Sequence, residues 1–276
     1  MRKVRFRVEG PAVEVEIEGP SEAEWVEDLF STYVVTSGAS APRALISIRT
    51  DADGGTMRTV DRIETFEGTD LISAVEWETN LSLLATVAGY AHLHASGAVV
   101  DGGGVLAVGP AGSGKSSLAM AWHQAGRCLI GDDAILLGQG GDVRSFARQM
   151  KLDWDRARAF GIDVERTLGF DPTVREIWYD PSGGAGWATE VVPVRAVAWV
   201  RWRAGAGLRV RRLEPAEGLN RLLADLLDTG LEPAGAFPAL ALLASEAELL
   251  HVEFDDAVEA AAVLARVGSA ARGRSV

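Results

Sequence analysis

The chain has 276 residues, enough to bury a substantial core as one large or two small domains. With 27 Lys and Arg against 39 Asp and Glu, its formal charge is −12, which opposes loose attachment to a phosphate backbone and argues against nucleic acid as a partner. No apolar run approaches the roughly 18 residues of a membrane span, the segment MRKVRFRVEG lacks a signal peptide's apolar stretch, and the expectation is a cytoplasmic protein with no membrane partner.

The first 20 residues alternate apolar and charged side chains around Gly10-Pro11 and predict two strands, Val4 to Val8 and Val13 to Glu18. Ser21 with Glu24 three places later is a capping-box signature and opens a short helix. ALISIRT predicts a strand, DADGG a loop, and residues 57–68 a further strand. Residues 1–68 thus form an expected β-rich N-terminal subdomain, leaving 69–276 as the main domain. From Leu71 to about Tyr90 the pattern is helical, with Trp77, Leu81, Leu84 and Ala88 on one face. GAVVD-GGG-VLAV predicts two strands joined by a glycine turn, and Val105 to Val108 suits a strand buried on both faces.

A helix is expected from Ser116 to Ala125, with Gly126 ending it, and RCLI predicts the next buried strand. The single cysteine, Cys128, lies in that strand and reads as a buried structural thiol. ILLGQGGDVRSF predicts a hairpin turning at Gly140-Gly141, whereas 152–190 is poorly patterned and DPSGGAGW reads as a mobile loop. VRAVAWVRW and LRVRRL flank RAGAG as an expected hairpin. A leucine stripe at Leu219, Leu222, Leu223, Leu226 and Leu227 marks a helix between Pro215 and Gly230. LLHVEF is the last strand, followed by a helix capped by aspartate. The alternation of strands and helices places the chain in the α/β class.

Residues 109–116, GPAGSGKS, fit the pattern G-x-x-x-x-G-K-[ST] in full. Gly109, Gly112 and Gly114 free the backbone, so that the N–H groups from Pro110's successor Ala111 through Ser113 can converge on phosphate oxygens. The following helix adds its unpaired N–H groups and positive dipole end. Lys115 reaches β- and γ-phosphates, Ser116 is placed to ligate Mg²⁺, and Ser117 adds a hydroxyl toward an α-phosphate. A strand before the loop and a helix after it supply the required context, and the expected ligand is a nucleoside triphosphate or similar polyphosphate.

Asp132 and Asp133 end the apolar strand after the loop, where one carboxylate can hold Mg²⁺ and another can serve as base toward a hydroxyl. Adjacent residues on a strand point to opposite faces, so sharing one site is not the default, and a turn-forming pair is the plain alternative. His92 and His94 share a face at a two-residue spacing, but no cysteine cluster or H-E-x-x-H pattern supports zinc. His123 and His251 have no catalytic context.

The stretch His92 to Asp133 resembles the catalytic domain of the HPr kinase/phosphorylase family and its relatives. His94 stands 21 residues before Lys115, and the aspartates stand 17 and 18 after it, as in that family. The resemblance implies a P-loop kinase core of the HPr kinase and phosphoenolpyruvate carboxykinase type, using ATP and Mg²⁺. It implies phosphate and metal duties for Lys115 and Ser116, Mg²⁺ at Asp132, a base at Asp133, and an orienting role for His94. The family's E-x-R-G glutamate has no counterpart, with Asp153 and Glu176 as the available replacements, and its basic HPr-engaging loop is absent. Arg148 and Lys151 are candidate phosphate-neutralising cations. The expected acceptor is a serine on a small protein or peptide. A small-molecule kinase on this scaffold, a nucleotide-binding regulatory protein and a homo-oligomer all stay open.

Overall fold

Apolar positions recurring every second residue form strands here, and those recurring every third or fourth form helices. The computed structural model describes residues 2–8, 12–18, 20–35, 44–51, 54–67, 70–164, 175–227 and 233–271. Gly10-Pro11, the side chain of Ser21 and Gly230 lie outside the described residues. The fold is mixed α/β in two units, one of Met1–Ala88 with Asp163–Tyr179 and one of Gly89–Ile162 with Asp180–Val276. No helix among the described residues is long and apolar enough to cross a membrane.

The first unit is built on a five-stranded sheet of β1 (Arg2–Phe6), β2 (Val13–Ile17), β3 (Ala44–Asp51), β4 (Gly54–Arg58) and β5 (Ile63–Glu67), in that order. Only the β2–β3 pair is parallel. Helix α1 (Pro20–Leu29) buries Ala23, Val26 and Leu29. The single strand expected over 57–68 is instead the second half of a hairpin ladder. Its turn carries Val60, 77% exposed, an apolar residue that extends the alternation through a loop tip.

Helix α2 (Asp70–Leu84) packs on this same sheet, so the unit boundary falls after Ala88 and not at residue 68. Its buried face matches the expected one only at Leu84. Leu71, Val75, Thr79 and Leu83 are also buried, with Glu76 and Asn80, whereas Trp77 is 50% exposed and Ala88 is exposed. Buried polar residues broke the stripe on which the apolar count relied. Strand β13 (Glu176–Tyr179) belongs to this unit and sets Trp178 edge-on to Trp25, ring centroids 5.2 Å apart.

The second unit carries a nine-stranded sheet. Its strands are β6 (Ala91–Leu93), β7 (Ala95–Val100), β8 (Gly103–Val108), β9 (Leu129–Gly131), β10 (Ile135–Leu137), β11 (Asp142–Ser145), β14 (Val192–Trp202), β15 (Arg209–Arg212) and β16 (Glu248–Phe254). Central β14 runs parallel to β8 on one side and to β16 on the other, and β7 and β9 continue beyond β8. Its first residues pair with β11, which leads on through β10 to β6. The β7–β8 turn has Asp101 and Gly102 both at positive φ, a geometry that fits the twist of a two-residue hairpin.

Helices cover both faces. Gly268 on α7 (Ala257–Ala271) sits so close to β8 that an added Cβ would lie 2.5 Å from Val105 Cγ2. The next residue, Leu106, packs instead in the cluster with Leu222 of α5 (Pro215–Ala224) and Leu240 of α6 (Pro233–Glu246), on the opposite face. Helix α3 (Lys115–Gln124) lies beside α7, where Trp122 Nε1 donates to the Ala261 carbonyl at 3.0 Å. It closes as expected: Gly126 at φ +75 and Arg127 return their N–H groups to His123 and Trp122. Asp256 caps α7 through the Val258 and Glu259 N–H groups.

Three expectations change in this unit. VRAVAWVRW and LRVRRL are no hairpin, because both edges of β14 are taken by β8 and β16; the 203–208 loop carries β15 to the outer edge of β16. The leucine helix stops at Ala224, after which Leu226 bridges to Leu93 and Leu227 N–H bonds the His92 carbonyl. The segment DPSGGAGW is tied down, since Leu129 donates to Gly186 and accepts from Ala188. The 154–159 stretch of the poorly patterned region forms helix α4, preceded by β12 (Met150–Asp153).

Candidate functional site

The loop from Gly109 to Gly114 leaves the carboxyl end of β8 and enters α3. Gly109, Gly112 and Gly114 have φ of +142°, +76° and +98°, a region side chains disfavour. Gly114 has a second constraint, because a Cβ there would lie 2.6 Å from the Phe254 ring. The loop is braced against β14 by the Trp202 N–H, which donates to the Ser113 carbonyl at 2.8 Å. Lys115 is almost fully buried and turns back into the loop, donating to the carbonyls of Gly109 at 2.7 Å and Pro110 at 3.2 Å. Burial pushes its pKa down, while Asp133, Asp132 and Asp225 pull the other way.

The aspartates leave the sheet on a tight turn. A Cβ on Gly131 would sit 2.3 Å from the Ala134 carbonyl oxygen, so this turn admits only glycine there without shifting. Asp133 takes φ +64°, a left-handed conformation that Asp tolerates better than most residues. The alternation rule for adjacent strand residues therefore does not govern this pair, which lies past the end of β9.

The two carboxylates have unlike surroundings. Asp132 is wholly buried; its Oδ1 accepts from Ser96 Oγ at 2.5 Å, and its Oδ2 has no hydrogen-bond partner among the described residues. Burial and the adjacent Asp133 charge push its pKa up to about 6, against the opposing influence of Ser96, Arg148 and Ser116. Asp133 is 29% exposed, its Oδ2 accepting from Arg148 Nη2 at 2.6 Å and its Oδ1 lying 3.7 Å from His94 Nε2. Burial opposes its ionisation, but His94, Arg148 and Lys115 outweigh it and hold the carboxyl well below the usual range.

His94 is positioned by the end of α5. Its backbone N–H donates to the Asp225 carbonyl at 2.8 Å, and the Asp225 side chain accepts from Trp199 Nε1 at 3.0 Å. Burial raises the Asp225 pKa, while Trp199 and the nearby charges of His94 and Lys115 lower it.

His94, Lys115, Ser116, Asp132 and Asp133 thus lie in one neighbourhood. Arg148 joins them as a buried partner of Asp133, not as a solvated cation. Ser96 and Asp225 belong to the same cluster and were not singled out from the sequence. Ser96 had a signal only as a hydroxyl two residues after His94; Asp225 had none beyond its place at the end of a leucine helix. Asp153 is committed elsewhere, its Oδ1 capping α4 through Asp155 and Arg156 N–H, and Glu176 belongs to the first unit. Cys128 is half-buried, with Sγ 3.1 Å from the Ala185 carbonyl oxygen. Among the described residues, no group of three or more His, Cys, Asp or Glu forms a metal cluster.

Two clefts open beside the loop. One of about 480 Å³ includes Ser117, and the other, of about 430 Å³, runs along Gly109 to Ser113 with Trp199, Arg221 and His251; Trp202 lines both.

No protein-family model and no curated protein sequence matches the chain. Among solved structures it is similar to the Hpr(Ser) kinase/phosphatase from Coxiella burnetii, with 16% identity over 66% of this chain and 97% of that one, at a TM-score of 0.32. That is a distant relationship, and it fixes neither the fold family nor the chemistry.

Proposed function

We propose that the loop Gly109 to Ser117 binds ATP with Mg²⁺, and that the chain transfers the terminal phosphoryl group to a hydroxyl, foremost a serine of a small protein or peptide. The observation that carries this reading is the division between two adjacent carboxylates beside Lys115: one buried with an unpartnered oxygen, one ionised and partly open. A loop that only bound Mg-polyphosphate would use the first as a metal ligand and would not need the second. The spacing of His94, the loop and the aspartate pair, which resembles that of the HPr kinase/phosphorylase family, supports the same chemistry.

The donor set suits Mg²⁺. Asp132 Oδ2 is a hard, buried oxygen with no hydrogen-bond partner among the described residues, and the Ser116 hydroxyl stands close enough to the carboxylate to favour its charged form. When bound with the nucleotide, Mg²⁺ supplies charge neutralisation at the phosphate oxygens. Lys115 would give up the Gly109 and Pro110 carbonyls for phosphate oxygens. Asp133 faces the open side and would accept the acceptor's hydroxyl proton as that oxygen bonds to the γ-phosphorus. In the same in-line step the bond from phosphorus to the bridging oxygen breaks, and the nucleoside diphosphate leaves. A carboxylate of low pKa is a weak base, but phosphoryl transfer passes through a loose transition state in which the proton leaves late, so orienting the hydroxyl matters most. His94 and Arg148 would keep Asp133 ionised and aimed.

The test is labelling with γ-phosphate-labelled ATP, Mg²⁺ and a lysate fraction. Wild type should label a protein band, whereas Asp133→Asn should retain ATP binding and lose about 100-fold or more of transfer. ATP binding by wild type with no labelled product would sink the transferase reading. Label confined to small molecules would move the acceptor to that class.

A further inference from the structure

We propose that the cleft of about 480 Å³ at the Ser117 end of the loop is the nucleoside subsite, with the Trp202 indole as the platform on which the base stacks. This rests on reading Gly109 to Ser117 as a triphosphate loop. In that reading Ser117 faces the α-phosphate, and the nucleoside is covalently joined to that phosphate. It must therefore occupy the space immediately beyond Ser117, and Ser117 itself lines this cleft.

The lining suits a nucleoside and not a further phosphate. Trp202 and Phe160 provide aromatic surface, and Ala257 and Val258 provide small apolar surface. The charged lining is chiefly acidic, with Asp153, Asp255 and Asp256 against Arg156, which repels an anion and offers acceptors to ribose hydroxyls or an exocyclic amine. Trp202 is 51% exposed, a large aromatic left open beside a loop that its own backbone braces.

The platform is also held in place. Trp202 Nε1 donates to the Asp255 carbonyl at 3.2 Å, and Asp255 Oδ2 accepts from Gly207 N–H at 3.0 Å. On the facing side, Gln124 Nε2 of α3 donates to the Phe160 carbonyl at 2.5 Å, tying that corner to the helix that follows the loop. Such preorganisation spares a ligand the ordering of its own pocket. A purine, with the larger π-face, fits this surface best.

The experiment compares equilibrium binding of Mg-ATP and Mg-tripolyphosphate, which carries the phosphates without a nucleoside. Trp202→Ala should weaken ATP by roughly tenfold, the scale of lost base stacking, and leave tripolyphosphate within about twofold. Trp202→Phe should recover most of the ATP affinity, because it keeps a stacking face. Val258→Trp, at a position 60% exposed on the cleft wall, should weaken ATP selectively by filling the space. The subsite is refuted if Trp202→Ala leaves ATP unchanged, or weakens both ligands alike through damage to the loop. If wild type binds neither ligand, the triphosphate reading fails and the subsite falls with it; tight tripolyphosphate with ATP insensitive to all three variants fails the subsite alone.

Discussion

Asp132 and Asp133 are chemically identical, and their surroundings make them different acids. Asp132 has a folded pKa of about 6, above the ordinary carboxylate value, because burial disfavours its charge. The folded state therefore prefers the protonated form. The stability this group contributes is full below its unfolded pKa and is lost as pH rises toward about 6. Asp132→Asn removes the ionisation without changing shape. In EDTA at pH 8 the variant should be more stable than wild type by on the order of 1 to 3 kcal/mol, the difference closing near pH 4. Urea unfolding at the two pH values checks this, and a variant less stable at pH 8 would contradict it. With Mg-ATP the order should reverse, as wild type gains a binding term that the variant lacks.

At the scale of elements, the turn after β9 places both carboxylates together, and Gly131 makes that turn. Gly131→Ala must push against the Ala134 carbonyl and should lower stability by roughly 1 to 3 kcal/mol. It should reduce phosphoryl transfer more than ATP binding, since the aspartates move and the loop does not; thermal unfolding and the labelling assay separate the two effects. Much of this neighbourhood was legible beforehand, because a glycine-rich loop, its flanking strand and helix, and a helix C-cap are local matters of backbone freedom. What stayed hidden was set by distant chain. Arg148 reads as a candidate phosphate-neutralising cation until Asp133 is seen beside it. β15 reads as the return arm of a hairpin until both edges of β14 prove occupied. Helix α6 gave no amphipathic signal, because Pro238 interrupts a segment that is apolar on nearly every side.

At the scale of the whole molecule, the two units interleave in sequence. Residues 163–179 leave the second unit's sequence and complete the first, where Ile177 and Trp178 are almost fully buried. A fragment of residues 89–276 would carry that segment without its partner. It should bind an environment-sensitive apolar dye more strongly than the full chain does, or associate further than the full chain in sedimentation. A monomeric, dye-silent fragment would count against the division. The same interleaving sets an order in time. As the chain emerges from a ribosome, the β1–β5 sheet is ready early, but the unit that owns it stays unfinished until Tyr179 has been made, after the loop, α3 and the aspartate turn. The first unit to begin folding is thus not free to finish first, and synthesis of the binding loop falls inside the interval during which that unit waits for Ile177 and Trp178.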